Sequence, residues 1–209
     1  MSNSNLRPPQ QDTHRYSFLL PWTVWGLGCL FYFYESLLQV SLGVMGNELM
    51  RDFAITSQTL GMISGLYYYS YAFMQIPGGV LMDYFGPQRL LTVATLICAL
   101  GAIAFGMTHS LVMASIARLM IGFGSAFAAV GTMKLAANWF PATRFAILTG
   151  IMITIGMLGQ IGGETPLALL VDTYGWRNSV IVMGYLGLVL AILIPLIAKD
   201  EPDHGPLTT

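Results

Sequence analysis

Two residues in this chain stand where charge is expensive. Glu35, in "FYFYESLLQV", and Arg118, in "RLMIGFG", both interrupt long apolar runs. An ionised side chain inside a bilayer costs on the order of several kcal/mol unless it is paired or hydrated, so such a residue marks a path for solute or protons. Glu35 lies about ten residues from the end of its run, roughly 15 Å deep at the helical rise. Both residues are expected to face one polar cavity, where they can pair and where they can bind a charged solute or pass a coupling proton. The plainer alternative is a structural ion pair, or an arginine tied to backbone carbonyls. Gln39 follows Glu35 by one turn and Tyr32 precedes it, which puts the three on one helix face. Tyr67, Tyr71 and Gln75 recur every four residues, a stripe suited to hydrogen-bonding a solute. Interfacial anchoring is the other role for tyrosines, and it fits Tyr67 poorly because Tyr67 sits near mid-span. Glu164 is either a further titratable cavity group or a water-facing residue at the mouth.

The elements that must hold these groups follow from composition. Of 209 residues, 55% are hydrophobic and 9% charged, against roughly 25% charged in a soluble domain. Mean hydropathy is +0.66. The solvent is lipid. Crossing a bilayer takes about 20 mostly apolar residues, and six stretches qualify: Ser17–Met45, Ser57–Met82, Leu90–Met107, Leu111–Ala136, Phe145–Val171 and Ser179–Ala198. Strand-like alternation is absent, which excludes a β-barrel. The fold class expected is an all-α membrane protein of six transmembrane helices, residues 17–199. Polar, disordered tails are expected at 1–16 and 200–209.

Lys and Arg set the orientation. With both ends inside, the cytoplasmic face holds Arg7, Arg15, Arg89, Lys134, Arg144 and Lys199, and the outer face holds Arg51 and Arg177. Lys134 and Arg144 read as topology determinants. A shift of 89 positions lays "QIPGGVLMDYFG" over "ETPLALLVDTYG", matching Pro77 with Pro166, Leu81 with Leu170, Asp83 with Asp172 and Gly86 with Gly175. Arg89 and Arg177 follow the two copies. Three spans separate them, so they lie on opposite faces. This is a 3+3 inverted repeat, an arrangement found in secondary transporters that bind near the midplane.

The first copy carries a family resemblance. Gly79, Leu81, Asp83, Gly86 and Arg89 resemble the major facilitator superfamily signature between its second and third helices. Met82, Tyr84, Pro87 and Gln88 depart from it and leave the loop one positive charge. "RLMIGFG", "NWFPATRFA" and "GWR" resemble the fourth helix, the loop after it and the entry to the sixth. The resemblance implies the N-terminal six-helix half of a twelve-helix carrier, similar in flavour to bacterial relatives of the lysosomal dipeptide transporter. It also implies that Gly79, Asp83, Gly86 and Arg89 form a cytoplasmic gate, with Asp83 engaging a helix N-terminus of the other half. The Gly-Pro-x-x-Gly-Gly pattern of antiporters is missing: Gly162 and Gly163 follow Leu158 and Gly159. Gly156, Gly159 and Gly163 share a face, which suits close helix contact in lipid.

The function expected is therefore secondary active or facilitative transport of a small solute by alternating access in a cell inner membrane, with both termini cytoplasmic. Expected partners are membrane lipid, the solute, protons, and either a second six-helix half or another copy of the chain. A truncated or non-transporting membrane scaffold is the alternative. No cofactor, metal or nucleic-acid partner is expected, since no basic cluster or phosphate loop exists and Cys29 and Cys98 lack paired spacing. An intramembrane protease would need a buried histidine beside a nucleophile such as Ser125. His14, His109 and His204 lie in tails or at membrane edges, so the chain does not read as an enzyme.

Overall fold

A computed structural model describes residues 19–198 and residue 200. The tail expectations for 1–16 and 201–209 lie outside the described residues. Seven α-helices occur among the described residues, one more than expected: α1 (Leu19–Val44), α2 (Gly46–Asp52), α3 (Ser57–Phe85), α4 (Pro87–Met107), α5 (Leu111–Trp139), α6 (Phe145–Tyr174) and α7 (Trp176–Ile197). A 3-10 turn, Ala142–Arg144, precedes α6. The extra element is α2, seven residues within what reads as a connection. It forms because Leu49 can be buried against the bundle while Arg51 and Asp52 stay outside.

Five of the helices are long and apolar enough to cross a membrane: α1, α4, α5, α6 with its preceding turn, and α7. α3 has the length, at 29 residues, but its serines, glycines and tyrosines dilute its hydropathy. The long helices, α3 included, present lipid-compatible surface. Phe73, Ile76, Val80 and Leu196 are each at least 70% exposed, an apolar display that water would not tolerate.

Two connections shrink to a single residue. Gly86 joins α3 to α4 at φ +81°, and Gly175 joins α6 to α7 at φ +80°. Positive φ costs any residue with a Cβ, so a glycine lets one helix end and the next begin at once. The amide of Gly86 donates to the Met82 carbonyl and that of Gly175 to the Val171 carbonyl. Pro87 then opens α4, where a missing N–H does no harm. Asp83 and Asp172 consequently sit within the last helical turns, not in loops.

α1 packs against α5 and α6, α3 against α5, and α4 against α5 and α7. Glycines set the closest crossings. A Cβ at Gly159 would lie 2.5 Å from the Phe33 carbonyl oxygen, and one at Gly184 would lie 3.0 Å from that of Ala99. Gly156 faces the ring of Tyr32, and Gly163 faces Val40. The shared glycine face of α6 thus seats α1, as its spacing predicts.

Side-chain contacts sort the connections into two ends of the bundle. At one end Trp22 packs on Phe140 with ring centres 5.0 Å apart, and Gln88 Nε2 donates to the Pro195 carbonyl at 3.0 Å. At the other, Trp176 meets Phe53 at 5.9 Å and Phe105 at 5.8 Å. There Arg177 Nη1 donates to the carbonyls of Gly106 and Thr108. The 89-residue offset holds in these contacts: Gln88 corresponds to Arg177, and Pro195 to Gly106. Each donor follows its hinge glycine by two residues and holds the far end of the neighbouring helix.

Candidate functional site

The polar centre of the bundle is built where α1, α3 and α5 meet. Glu35 is 4% exposed, Tyr67 0% and Arg118 1%. Tyr67 joins the other two. Its hydroxyl donates to Glu35 Oε2 at 2.9 Å, and its ring lies 5.2 Å from the Arg118 guanidinium carbon. A cation over a tyrosine face gains about 0.5 to 2 kcal/mol, more as water is removed. Arg118 Nη1 donates to the Leu38 carbonyl at 3.2 Å, one turn along α1 from Glu35.

The local backbone explains how Tyr67 reaches this position. Gly122 follows Arg118 by one turn of α5, and a Cβ there would overlap the Tyr67 carbonyl oxygen and the Ser70 hydroxyl. The missing side chain lets α3 approach α5 until the Tyr67 ring covers the guanidinium. Ser125 and Ser36 also stand within electrostatic reach of Glu35. Cys98 Sγ lies 3.4 Å from the Ile121 carbonyl and 3.7 Å from Ser125 Oγ. The network is continuous from α4 through α5 to α1 and α3.

The structure places Glu35 and Arg118 on either side of Tyr67 and not as a direct pair. The ion pairs among the described residues are Lys134 with Asp83 and Arg177 with Asp52. Tyr67 stands between the two buried groups and takes up one oxygen of the carboxylate. Tyr71 stacks on Tyr67 with ring centres 6.0 Å apart and an interplanar angle of 16°, and Gln75 lies beside Tyr71. The α3 stripe is therefore contiguous. Gln39 is half-buried and accepts from Gln160 Nε2 at 3.2 Å, so it points to α6 while Glu35 points to α3. Glu164 is exposed and stands apart from the cluster.

In the gate sequence, Asp83 accepts from Lys134 Nζ at 2.7 Å. Lys134 is thus the ion-pair partner of Asp83. Arg89 is exposed and Gly79 has open space around it. Asp200 is an unforeseen member: its Oδ1 accepts from the Gln88 backbone amide at 2.5 Å, and its carbonyl accepts from Asn138 Nδ2 at 2.9 Å. A carboxylate at the N-terminus of α4 complements the helix dipole. Neither Lys134 nor Asp200 carries a local sequence signal toward Asp83 or Gln88, since each partner lies more than fifty residues away.

The sequence model of the Major Facilitator Superfamily matches residues 24–208, nearly all of the described chain. The chain belongs to the Major Facilitator Superfamily. Among curated relatives, a probable sulfoacetate transporter of Cupriavidus necator is 30% identical over 186 residues, covering 88% of this chain and 43% of that protein. A probable galactarate/D-glucarate transporter of Escherichia coli K12 is 26% identical over 172 residues, 79% of this chain and 39% of that one. The crystal structure of a bacterial homolog of the human lysosomal transporter Spinster, inward-facing and unoccupied, superposes with a TM-score of 0.81. It shares 15% identity, over 92% of this chain and 47% of that chain, and at that identity the likeness speaks for the fold. The superfamily chain described here spans less than half the length of the curated relatives it matches. It is a multi-pass membrane protein of a transporter family.

Proposed function

We propose that this chain forms the N-terminal six-helix half of a carrier that moves a small solute by alternating access. In this reading α1, α3, α4, α5, α6 and α7 all cross the membrane, as three helices and their inverted copy. The termini lie in the cytoplasm of a cell whose inner membrane holds the protein. The observation that carries the reading is the buried cluster of Glu35, Tyr67 and Arg118. Three polar groups sealed at the junction of three helices would be a costly ornament in a scaffold, whereas a carrier needs such a site near its midplane. The paired Gly86 and Gly175 hinges, with their matched donors, support the inverted repeat.

Alternating access assigns roles to the remaining residues. Tyr71, Gln75 and Gln39 line the route to the cluster, and Glu164 stands at its mouth. Gly79, Asp83, Gly86 and Arg89 form the cytoplasmic gate, with Lys134 holding Asp83 when the other half is disengaged. The second half comes from a longer chain, a partner or another copy. Relatives named for sulfoacetate, galactarate/D-glucarate and hexuronate support a small polar solute.

Counterflow in proteoliposomes tests this directly, with Glu35→Gln and Arg118→Gln each expected to remove flux. Cysteines placed at Asp83 and Asp172 are expected to label from opposite faces of the membrane. Labelling from the same face would dismantle the inverted repeat. A monomer without flux for any solute would favour the non-transporting subunit.

A further inference from the structure

The guanidinium of Arg118 is only partly used. Nη1 donates to the Leu38 carbonyl, and the Tyr67 ring covers one face. Nε and Nη2, both buried, have no hydrogen-bond partner among the described residues. These two nitrogens form the side edge of the guanidinium, from which two N–H bonds project in parallel. A buried donor without an acceptor is costly, and here two of them lie side by side with the same aim. Glu35, a carboxylate of the same buried cluster, is held by the Tyr67 hydroxyl and forms no ion pair with Arg118.

The geometry points to a docking fork: we infer that the Nε–Nη2 edge of Arg118 receives the carboxylate or sulfonate group of an organic anion. Two parallel N–H donors match two oxygens of a planar carboxylate, or two of a sulfonate's three, in a bidentate contact. Lysine offers a point charge and cannot reproduce that pair. Leu38 and Tyr67 fix the plane of the fork, since one holds Nη1 and the other flanks the ring face, so the edge is oriented before a ligand arrives. Preorganised donors of this kind raise affinity by sparing the ligand the cost of ordering them. The fork is closed off at 1% exposure, so entry requires α3 or α1 to move from α5. The inference deepens the carrier reading by naming its solute class, but anion binding itself can be measured without transport.

The full chain, purified in mild detergent, is titrated with sulfoacetate, with D-glucarate and with uncharged galactitol, following thermal stability and the 15N signal of the Arg118 Nε–H group. At least one anion is expected to raise the melting temperature and move that signal, and galactitol to do neither. Arg118→Lys, which keeps charge and loses the fork, is expected to weaken anion binding by at least about tenfold, the scale of a lost charge-assisted hydrogen bond. Glu35→Gln, which removes an ionisable carboxyl from the same buried cluster, is expected to tighten it. Should Arg118→Gln fail to fold, the Lys variant and the wild-type Nε–H signal decide the matter. Silence from both anions, or equal anion affinity in wild type and Arg118→Lys, overturns the fork. Counterflow of a neutral solute alongside that silence would leave the carrier standing. Anion binding through Arg118 without any flux would keep the fork and remove the carrier.

Discussion

Replacing Gly122 with alanine tests whether the α3–α5 approach builds the buried cluster. A Cβ there would meet the Tyr67 carbonyl oxygen and the Ser70 hydroxyl, with the Tyr67 carbonyl carbon at 2.9 Å. Ser70 can rotate, but the Tyr67 backbone is held within its helix, so α3 must retreat. Overpacking of this kind costs roughly 1 to 3 kcal/mol, and a backbone obstacle argues for the upper part of that range. Alanine returns about 1 kcal/mol of helix propensity, leaving a net loss of about 1 to 2 kcal/mol. For a chain of this length, each kcal/mol moves the melting temperature by roughly 2 to 4 °C. Thermal unfolding in mild detergent should therefore show Gly122→Ala melting about 2 to 8 °C below the parent. Gly61→Ala and Gly150→Ala are internal controls, since a Cβ at either meets nothing within 4 Å; they should melt at or above the parent. If Gly122→Ala melts with these controls, the close approach does not constrain the bundle, and the placement of Tyr67 over Arg118 needs another cause.

Other expectations follow from the same contacts. Tyr67→Phe keeps the ring over Arg118 but deprives Glu35 of its donor, and should cost about 1 to 3 kcal/mol, the cost of leaving a buried acceptor unsatisfied, in the same melting assay. Gly175→Ala meets no neighbour and carries only the backbone strain of φ +80°, ψ 155°, about 1 to 3 kcal/mol. Gly86→Ala should cost more, because its Cβ would lie 2.5 Å from Asp200 Oδ2, and the difference should shrink in an Asp200→Ala background. Arg177→Gln should be markedly destabilising, since it loses Asp52 at 3.0 Å, two carbonyls and the face of Trp176 at 4.4 Å. Lys134→Ala should shift stability by less than about 1 kcal/mol, as its pair with Asp83 is solvent-exposed.

The long helices were legible because apolar length leaves a mark in one dimension, and the offset that aligns Gly86 with Gly175 was legible because both copies end on the same residue types. The cluster was legible by membership, since charge in an apolar run is conspicuous wherever it falls. Its wiring was not. That Tyr67 intervenes between Glu35 and Arg118 depends on how closely α3 approaches α5, which a single glycine controls and no spacing reveals. α2 escaped notice because seven residues are too few for a periodic signal; burial of Leu49 against the bundle stabilises it. Lys134 and Asp200 find partners through tertiary packing alone.

The two ends of the bundle are clasped with unequal strength. At the Gly175 end, one oxygen of Asp52 collects Trp176 Nε1 at 3.0 Å and two nitrogens of Arg177 at 3.1 and 3.0 Å, with aromatic rings shielding the cation. At the Gly86 end the clasp is a neutral glutamine, one capping carboxylate and a lysine pair open to water. Screening weakens exposed charges far more than shielded ones. Rising salt therefore loosens the Gly86 end more than the Gly175 end, and amide exchange should be slower at the Gly175 end.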